Sequence, residues 1–118
     1  MRIMITASLL LNVAVLLPVC FGILTNAPWA QEAYGGPTPA RDILLAVYAV
    51  IGGASVALLF IGEPRWVASL LILQVAYKLL TLFTVGSWQH PVVTANLLIA
   101  VFHAATLVVL WRGDALVP

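Results

Sequence analysis

Four long runs of apolar residues dominate the chain, and short segments rich in proline, glycine or polar residues separate them. Each run is close to the length of about 20 residues that an α-helix needs to cross a bilayer. The separating segments contain the residues that usually begin or end helices. The pattern therefore predicts an all-α integral membrane protein with one domain over residues 1–118 and transmembrane helices at residues 3–24, 40–62, 65–86 and 91–111.

The short turns and the distribution of arginines predict a topology. Antiparallel neighbours joined by short turns favour an up-down-up-down four-helix bundle. Arg2, Arg65 and Arg112 would lie on one side of the membrane, and only Arg41 on the other. Because cytoplasmic loops are enriched in Lys and Arg, we expect both termini in the cytoplasm (N-in, C-in). The longest loop, residues 25–39, would then be external.

The composition agrees with a membrane protein and excludes several classes. Of 118 residues, 64% are hydrophobic and 8% are charged, whereas a soluble domain has about 25% charged residues. The net charge is only +1, and the five Lys and Arg residues are spread along the chain. This argues against nucleic acid as a partner, which would require a clustered basic face. The single cysteine, Cys20, excludes an internal disulfide and a cysteine-rich metal site.

The first apolar run follows Arg2, as in a secretory signal peptide. Pro28 and Trp29 stand where a cleavage site would require small residues. We therefore expect the first run to be a retained transmembrane helix.

Several polar side chains interrupt the apolar runs. A lysine in hydrocarbon costs about 2.5 to 3.5 kcal/mol on insertion scales, so such residues usually have partners or functions. With a rise of about 1.5 Å per residue, they fall into two layers about 18 Å and about 12 Å from the external end. We expect them to converge in a polar seam. The deeper layer contains Gln74, His103 and Asn12, and the shallower one contains Lys78, Tyr48 and Asn96.

Three interpretations of the seam remain open. The polar groups could hold helices together by hydrogen bonds. They could line a ligand or ion pocket in which Lys78 attracts an anionic or carbonyl-bearing group. Lys78 could also extend along its aliphatic stem to the external headgroups. Its candidate counter-ions are Asp42 and Glu32, the acidic residues on the same predicted side, although Asp42 also suits the start of a helix.

The sequence offers no catalytic or cofactor motif. His103 has no carboxylate or cysteine companion in the apolar runs, so a hydrogen-bonded structural histidine is expected rather than a metal ligand or proton relay. Small multidrug transporters are similar in size and helix number, but they depend on a glutamate in the first span, where this chain has Asn12. We therefore expect no enzyme activity, no cofactor and no metal.

Two functions remain in contention. The small residues Gly52-Gly53-Ala54-Ser55 give the second predicted helix a surface without large side chains, which favours close helix packing in lipid. This favours a non-catalytic accessory or assembly subunit of a larger membrane complex, or a homo-oligomer, with lipid and other membrane subunits as partners. The arginine distribution suits a bacterial inner membrane. The alternative is a small transporter or ligand-binding membrane protein with a small molecule bound in the seam around Lys78.

Overall fold

The computed structural model describes residues 1–117. They form five α-helices and no strand, which confirms the all-α prediction. Four of the helices match the predicted spans to within two residues at either end. The helices are α1 (Arg2–Leu24), α2 (Pro28–Tyr34), α3 (Pro39–Ile61), α4 (Pro64–Thr84) and α5 (Pro91–Arg112).

The short helix α2 corrects the prediction of an irregular loop at residues 25–39. Pro28 acts as the first residue of a helix rather than only as a breaker, because its missing N–H is not needed there. Gly35 ends the helix at φ +86°. The ring of Trp29 lies against Gly22 of α1, where a Cβ atom would overlap it. The segment is therefore packed on the end of α1.

Proline and glycine set most of the helix boundaries. A proline is the first residue of each helix from α2 to α5. The Glu63 carboxylate accepts a hydrogen bond from the Arg65 backbone N–H at the start of α4, and His90 caps α5 in the same way. Gly62 and Gly86, which follow α3 and α4, have φ values of +69° and +74°. Glycine adopts this left-handed conformation without a steric penalty, so the chain can turn there.

The distribution of side chains differs from that in a soluble protein, because many large apolar side chains are exposed and several polar ones are buried. Helices α1, α3, α4 and α5 are each long and apolar enough to cross a membrane. Large apolar side chains lie on the outside, as for Phe60, which is 87% exposed. Polar side chains lie inside instead: the buried ones are Ser8, Asn12, Arg41, Ser55, Gln74, Lys78, Asn96, His103 and Thr106. The chain is thus a small polytopic membrane protein with four candidate spans.

The chain divides into two compact units. The first, which we call the Lys78 unit, comprises Met1–Ser8 and the chain from Ile61 onward. In it α4 and α5 pack as an antiparallel pair, and the first residues of α1 contact α5. The second, which we call the Arg41 unit, is Leu9–Phe60, with the rest of α1 and helices α2 and α3. The single four-helix bundle stays a prediction.

Candidate functional site

Lys78 belongs to a closed set of hydrogen bonds between α4 and α5, which we call the Lys78 cluster. Lys78 is only 4% exposed. Its Nζ donates to Oδ1 of Asn96 at 3.1 Å. Nδ2 of Asn96 donates to Oγ1 of Thr81 at 3.3 Å, and Thr81 Oγ1 donates to the Lys78 carbonyl at 2.6 Å. Both ends of the Asn96 amide are therefore bound to α4.

The hydrogen-bond acceptor of Lys78 is a neutral amide rather than a carboxylate. A second contact is aromatic, since Nζ lies 5.1 Å from the centre of the Tyr77 ring, within the range of a cation–π interaction. Glu32 and Asp42, the candidate counter-ions, are both exposed. Their role as counter-ions stays a prediction.

His103 lies in a second polar group, the Ser8 cluster, which joins α1 to α5. The Ser8 Oγ is 2.6 Å from Thr106 Oγ1 and 3.1 Å from His103 Nδ1. All three residues are fully buried. Thr106 Oγ1 also donates to the carbonyl of Phe102, in the preceding turn, at 3.3 Å. Among residues 1–117, no group of three or more His, Cys, Asp or Glu side chains could hold a metal ion.

Gln74 lies on α4, four residues before Lys78, and is 1% exposed. The Asn96–Thr81 hydrogen bond sets the register of the antiparallel pair. Gln74 lies seven residues before Thr81 on α4, and His103 lies seven residues after Asn96 on α5. Because the helices are antiparallel, this register places Gln74 at the level of His103. The common depth expected from the sequence therefore agrees with the register. Both side chains make contacts and are not free.

The remaining predicted seam residues, Asn12 and Tyr48, lie in the Arg41 unit. Asn12 Nδ2 donates to Ser55 Oγ at 3.0 Å and thereby joins α1 to α3. The Ser55 hydroxyl in turn donates to the Ile51 carbonyl at 2.8 Å. The Tyr48 ring meets the Tyr34 ring edge to face, with centroids 6.0 Å apart. The structure thus gives each of these residues a partner within its own unit.

Four hydroxyl partners were missed by the sequence analysis. They explain why Asn12, Asn96 and His103 are tolerated in apolar helices, because each of these three is hydrogen-bonded to one of the hydroxyl groups. Helical spacing could have indicated three of them, Ser8, Thr81 and Thr106. Each lies three or four residues from a predicted seam residue on the same helix and therefore shares its face. The four are Ser8, Ser55, Thr81 and Thr106.

Arg41 is a second buried basic side chain, although the sequence predicts only an external charge at this position. Arg41 is 5% exposed. Its Nη1 donates to Oδ1 of Asn26 and to the Gly35 carbonyl, both at 2.9 Å. The guanidinium therefore links the end of α1 to the end of α2. Its Nε is buried and has no hydrogen-bond partner among residues 1–117.

An apolar groove of about 310 Å³ lies between α1 and α3 in the Arg41 unit. Its walls include Val13, Leu16 and Cys20 of α1. The facing wall includes Gly52 and Gly53 of α3. A Cβ atom at Gly53 would have no atom within 4 Å, so the groove is open at this position.

Comparisons of the chain with protein-family models, curated proteins and solved structures gave no match. Its function must therefore be inferred from the two polar clusters, the Arg41 site and the groove.

Proposed function

We propose that this protein is a non-catalytic accessory or assembly subunit that docks on a transmembrane helix of a larger membrane complex. The observation that carries the proposal is the contrast between two regions. Most of the buried polar side chains are hydrogen-bonded to one another, as in the Lys78 cluster and the Ser8 cluster, whereas the groove between α1 and α3 is apolar and open.

The polar groups support a structural role. The Lys78 cluster binds α4 to α5, and the Ser8 cluster binds α1 to α5. Polar contacts of this kind contribute about 0.6 to 2 kcal/mol each in membranes. A catalytic or transport site would instead need polar atoms directed at a space that a substrate can enter. This favours helix packing as the role of Gln74, Lys78, Asn96 and His103.

The groove supports docking of a helix. Gly52 and Gly53 place no side chain in the middle of its α3 wall, so the backbone of a partner helix can approach closely there. The aliphatic side chains of Val13 and Leu16 form an apolar wall opposite. An apolar transmembrane helix, with no charge at this depth, is the partner that these surfaces fit.

We also propose an orientation and a location. The four candidate spans form an up-down bundle with both termini in the cytoplasm, since Arg2, Arg65 and Arg112 then follow the positive-inside rule. The protein belongs to a bacterial inner membrane. Reporter fusions at the C-terminus and in residues 85–90 test the orientation, with a cytoplasmic C-terminus and an external turn expected.

The docking proposal is tested by crosslinking through Cys20, which lies in the groove wall and is the only cysteine. A thiol-directed photo-crosslinker on Cys20 in native membranes should give one defined adduct with a membrane subunit. Gly53→Leu should remove the adduct, because the new side chain fills open space in the groove without a clash inside the chain. Ala57→Leu is the matched control, since Ala57 is exposed on the same helix and does not line the groove.

Each outcome distinguishes between the functions. An adduct that survives Gly53→Leu, or the absence of any adduct, would refute docking in the groove. An adduct of twice the chain mass that Gly53→Leu removes would identify a second copy as the occupant. A bound small molecule lost in Lys78→Met, without a crosslinked subunit, would favour the ligand-binding alternative around Lys78.

A further inference from the structure

Arg41 is a buried charge that has no anionic partner among residues 1–117. A guanidinium stays protonated in proteins, and an isolated charge away from water costs several kcal/mol unless it is paired. Both hydrogen bonds of the Arg41 guanidinium go to neutral oxygens, those of Asn26 and Gly35. The two carboxylates of the Arg41 unit, Glu32 and Asp42, are exposed.

The guanidinium also has unused donor capacity. It carries five N–H donors in a rigid fork. Both of these bonds come from Nη1, and Nε is buried without a hydrogen-bond partner among residues 1–117. The backbone beside it is open, since a Cβ atom at Gly35 or Gly36 would have nothing within 4 Å. These two glycines therefore leave open space next to the carbonyl that Arg41 binds.

The position of Arg41 along α3 indicates which anion it meets. The 23 residues of α3 form a helix about 35 Å long at about 1.5 Å per residue. The hydrocarbon core is only about 30 Å thick, so the first turn of α3 reaches the headgroup layer. Arg41 is the third residue of that helix. The phosphate group is the common anion at this depth, and the guanidinium fork matches its oxygens.

We propose that Arg41, held in place by Asn26 and Gly35, binds a phosphate group at the membrane surface. The phosphate belongs either to a phospholipid headgroup or to a soluble phosphate compound. When bound, it supplies the negative charge that the buried guanidinium lacks. It thereby stabilises the junction between the ends of α1 and α2 and the start of α3.

The test measures thermal unfolding of the full-length protein in an uncharged, phosphate-free detergent. Three additions are compared at equal ionic strength: short-chain phosphatidylglycerol, inorganic phosphate and chloride. A ligand that binds the native state raises Tm. We expect phosphatidylglycerol to raise Tm above the chloride reference. Stabilisation by inorganic phosphate as well would identify soluble phosphate as sufficient, and stabilisation by the lipid alone would identify the headgroup.

Three variants test whether the rise in Tm depends on Arg41. Arg41→Gln should weaken the apparent affinity about 10-fold or more, as expected for a lost charge-assisted hydrogen bond. Asn26→Asp should do the same without removing the arginine, because it places a carboxylate 2.9 Å from Nη1. Aspartate tolerates the φ of +55° at this position, so this variant remains informative if Arg41→Gln fails to fold. Arg65→Gln is the control, since Arg65 is exposed and paired with Glu63.

The outcomes are distinct. Loss of phosphate stabilisation in Asn26→Asp, and also in Arg41→Gln where that variant folds, with an unchanged response in Arg65→Gln, would support the site. An equal response in wild type and Asn26→Asp, or no stabilisation by either phosphate source, would overturn it. The result is independent of crosslinking at Cys20, because Arg41 does not line the groove.

Discussion

The Nζ atom of Lys78 lies 3.1 Å from the amide oxygen of Asn96 and thereby joins α4 to α5 within their apolar surfaces. The same amide donates to Thr81 on α4. A lysine that would be costly in lipid is therefore placed against another helix of the same chain. The Asn96–Thr81 hydrogen bond sets the register of the pair, and this register brings Gln74 to the level of His103.

Ser8 is expected to make a large contribution to stability for so small a side chain. Its hydroxyl is the shared partner of Thr106 and His103. Ser8→Ala would leave both of them, fully buried, without that hydrogen bond. Removal of one partner from a buried polar pair costs about 1 to 3 kcal/mol. Unfolding by SDS in mixed micelles should show a loss of that size.

The control for Ser8 is Ser69→Ala. Ser69 is exposed on α4 and bonds only to the carbonyl of Arg65 in its own helix. Exposed substitutions usually change stability by less than about 0.5 kcal/mol. Equal effects of the two alanine variants would show that the Ser8 cluster contributes nothing specific to folding.

Gly22 is predicted to be intolerant of any side chain. The Trp29 ring occupies the space that a Cβ atom would take. Gly22→Ala should therefore displace the indole from α1, at the cost of about 1 to 3 kcal/mol that is typical of overpacking. We expect a lower Tm and a red-shifted tryptophan emission in this variant.

Gly53→Ala is the matched control for Gly22→Ala. Gly53 lies in a helix of the same unit, but a Cβ atom there meets nothing within 4 Å. We expect it to leave the Tm and emission close to those of wild type. If Gly22→Ala behaved in the same way, α2 would not be packed against the end of α1 as described.

The pKa of the Tyr34 phenol is predicted to be higher than that of an ordinary tyrosine. Burial raises the pKa of its phenol, and a hydrogen bond from Tyr48 only partly opposes this. Because the pKa is higher in the folded state than the unfolded value of about 10, the contribution to stability is complete below that pH. It is lost as the pH rises through the folded-state pKa.

The measurement for Tyr34 compares two proteins across alkaline pH. The difference in unfolding free energy between wild type and Tyr34→Phe should be constant up to about pH 9 and should then change. Tyr48→Phe removes the opposing hydrogen bond and should shift the Tyr34 absorbance titration to still higher pH. A phenol that titrates at the ordinary pKa in wild type would argue against burial of Tyr34.

The four long helices could be predicted from the sequence because each is a run of about 20 apolar residues bounded by proline or glycine. Helix α2 could not be predicted, because its seven residues are too few for a periodic pattern. In addition, Pro28 is equally compatible with the end of one helix and the start of another. The helix contains good helix formers, but its stability also depends on the contact between Trp29 and Gly22.

Only those site residues that are unusual in an apolar helix could be predicted from the sequence. A lysine, an amide or a histidine is rare enough in an apolar run to be noticed. Serine and threonine are common there and can bond to their own helix, as Thr106 does to Phe102. Their tertiary partners are therefore not visible in the sequence. The contacts of Arg41 with Asn26 and Gly35 likewise depend on how the chain turns after α1 and α2.

The most direct test of a structural role for the buried polar residues is a double-mutant cycle on Lys78→Met and Asn96→Leu. Unfolding by SDS should give a coupling energy of about 0.6 to 2 kcal/mol between the two positions. The control pair, Lys78→Met with Ser69→Ala, should be additive, because Ser69 is exposed and more than two turns away on α4. Additive effects of Lys78→Met and Asn96→Leu would contradict the account.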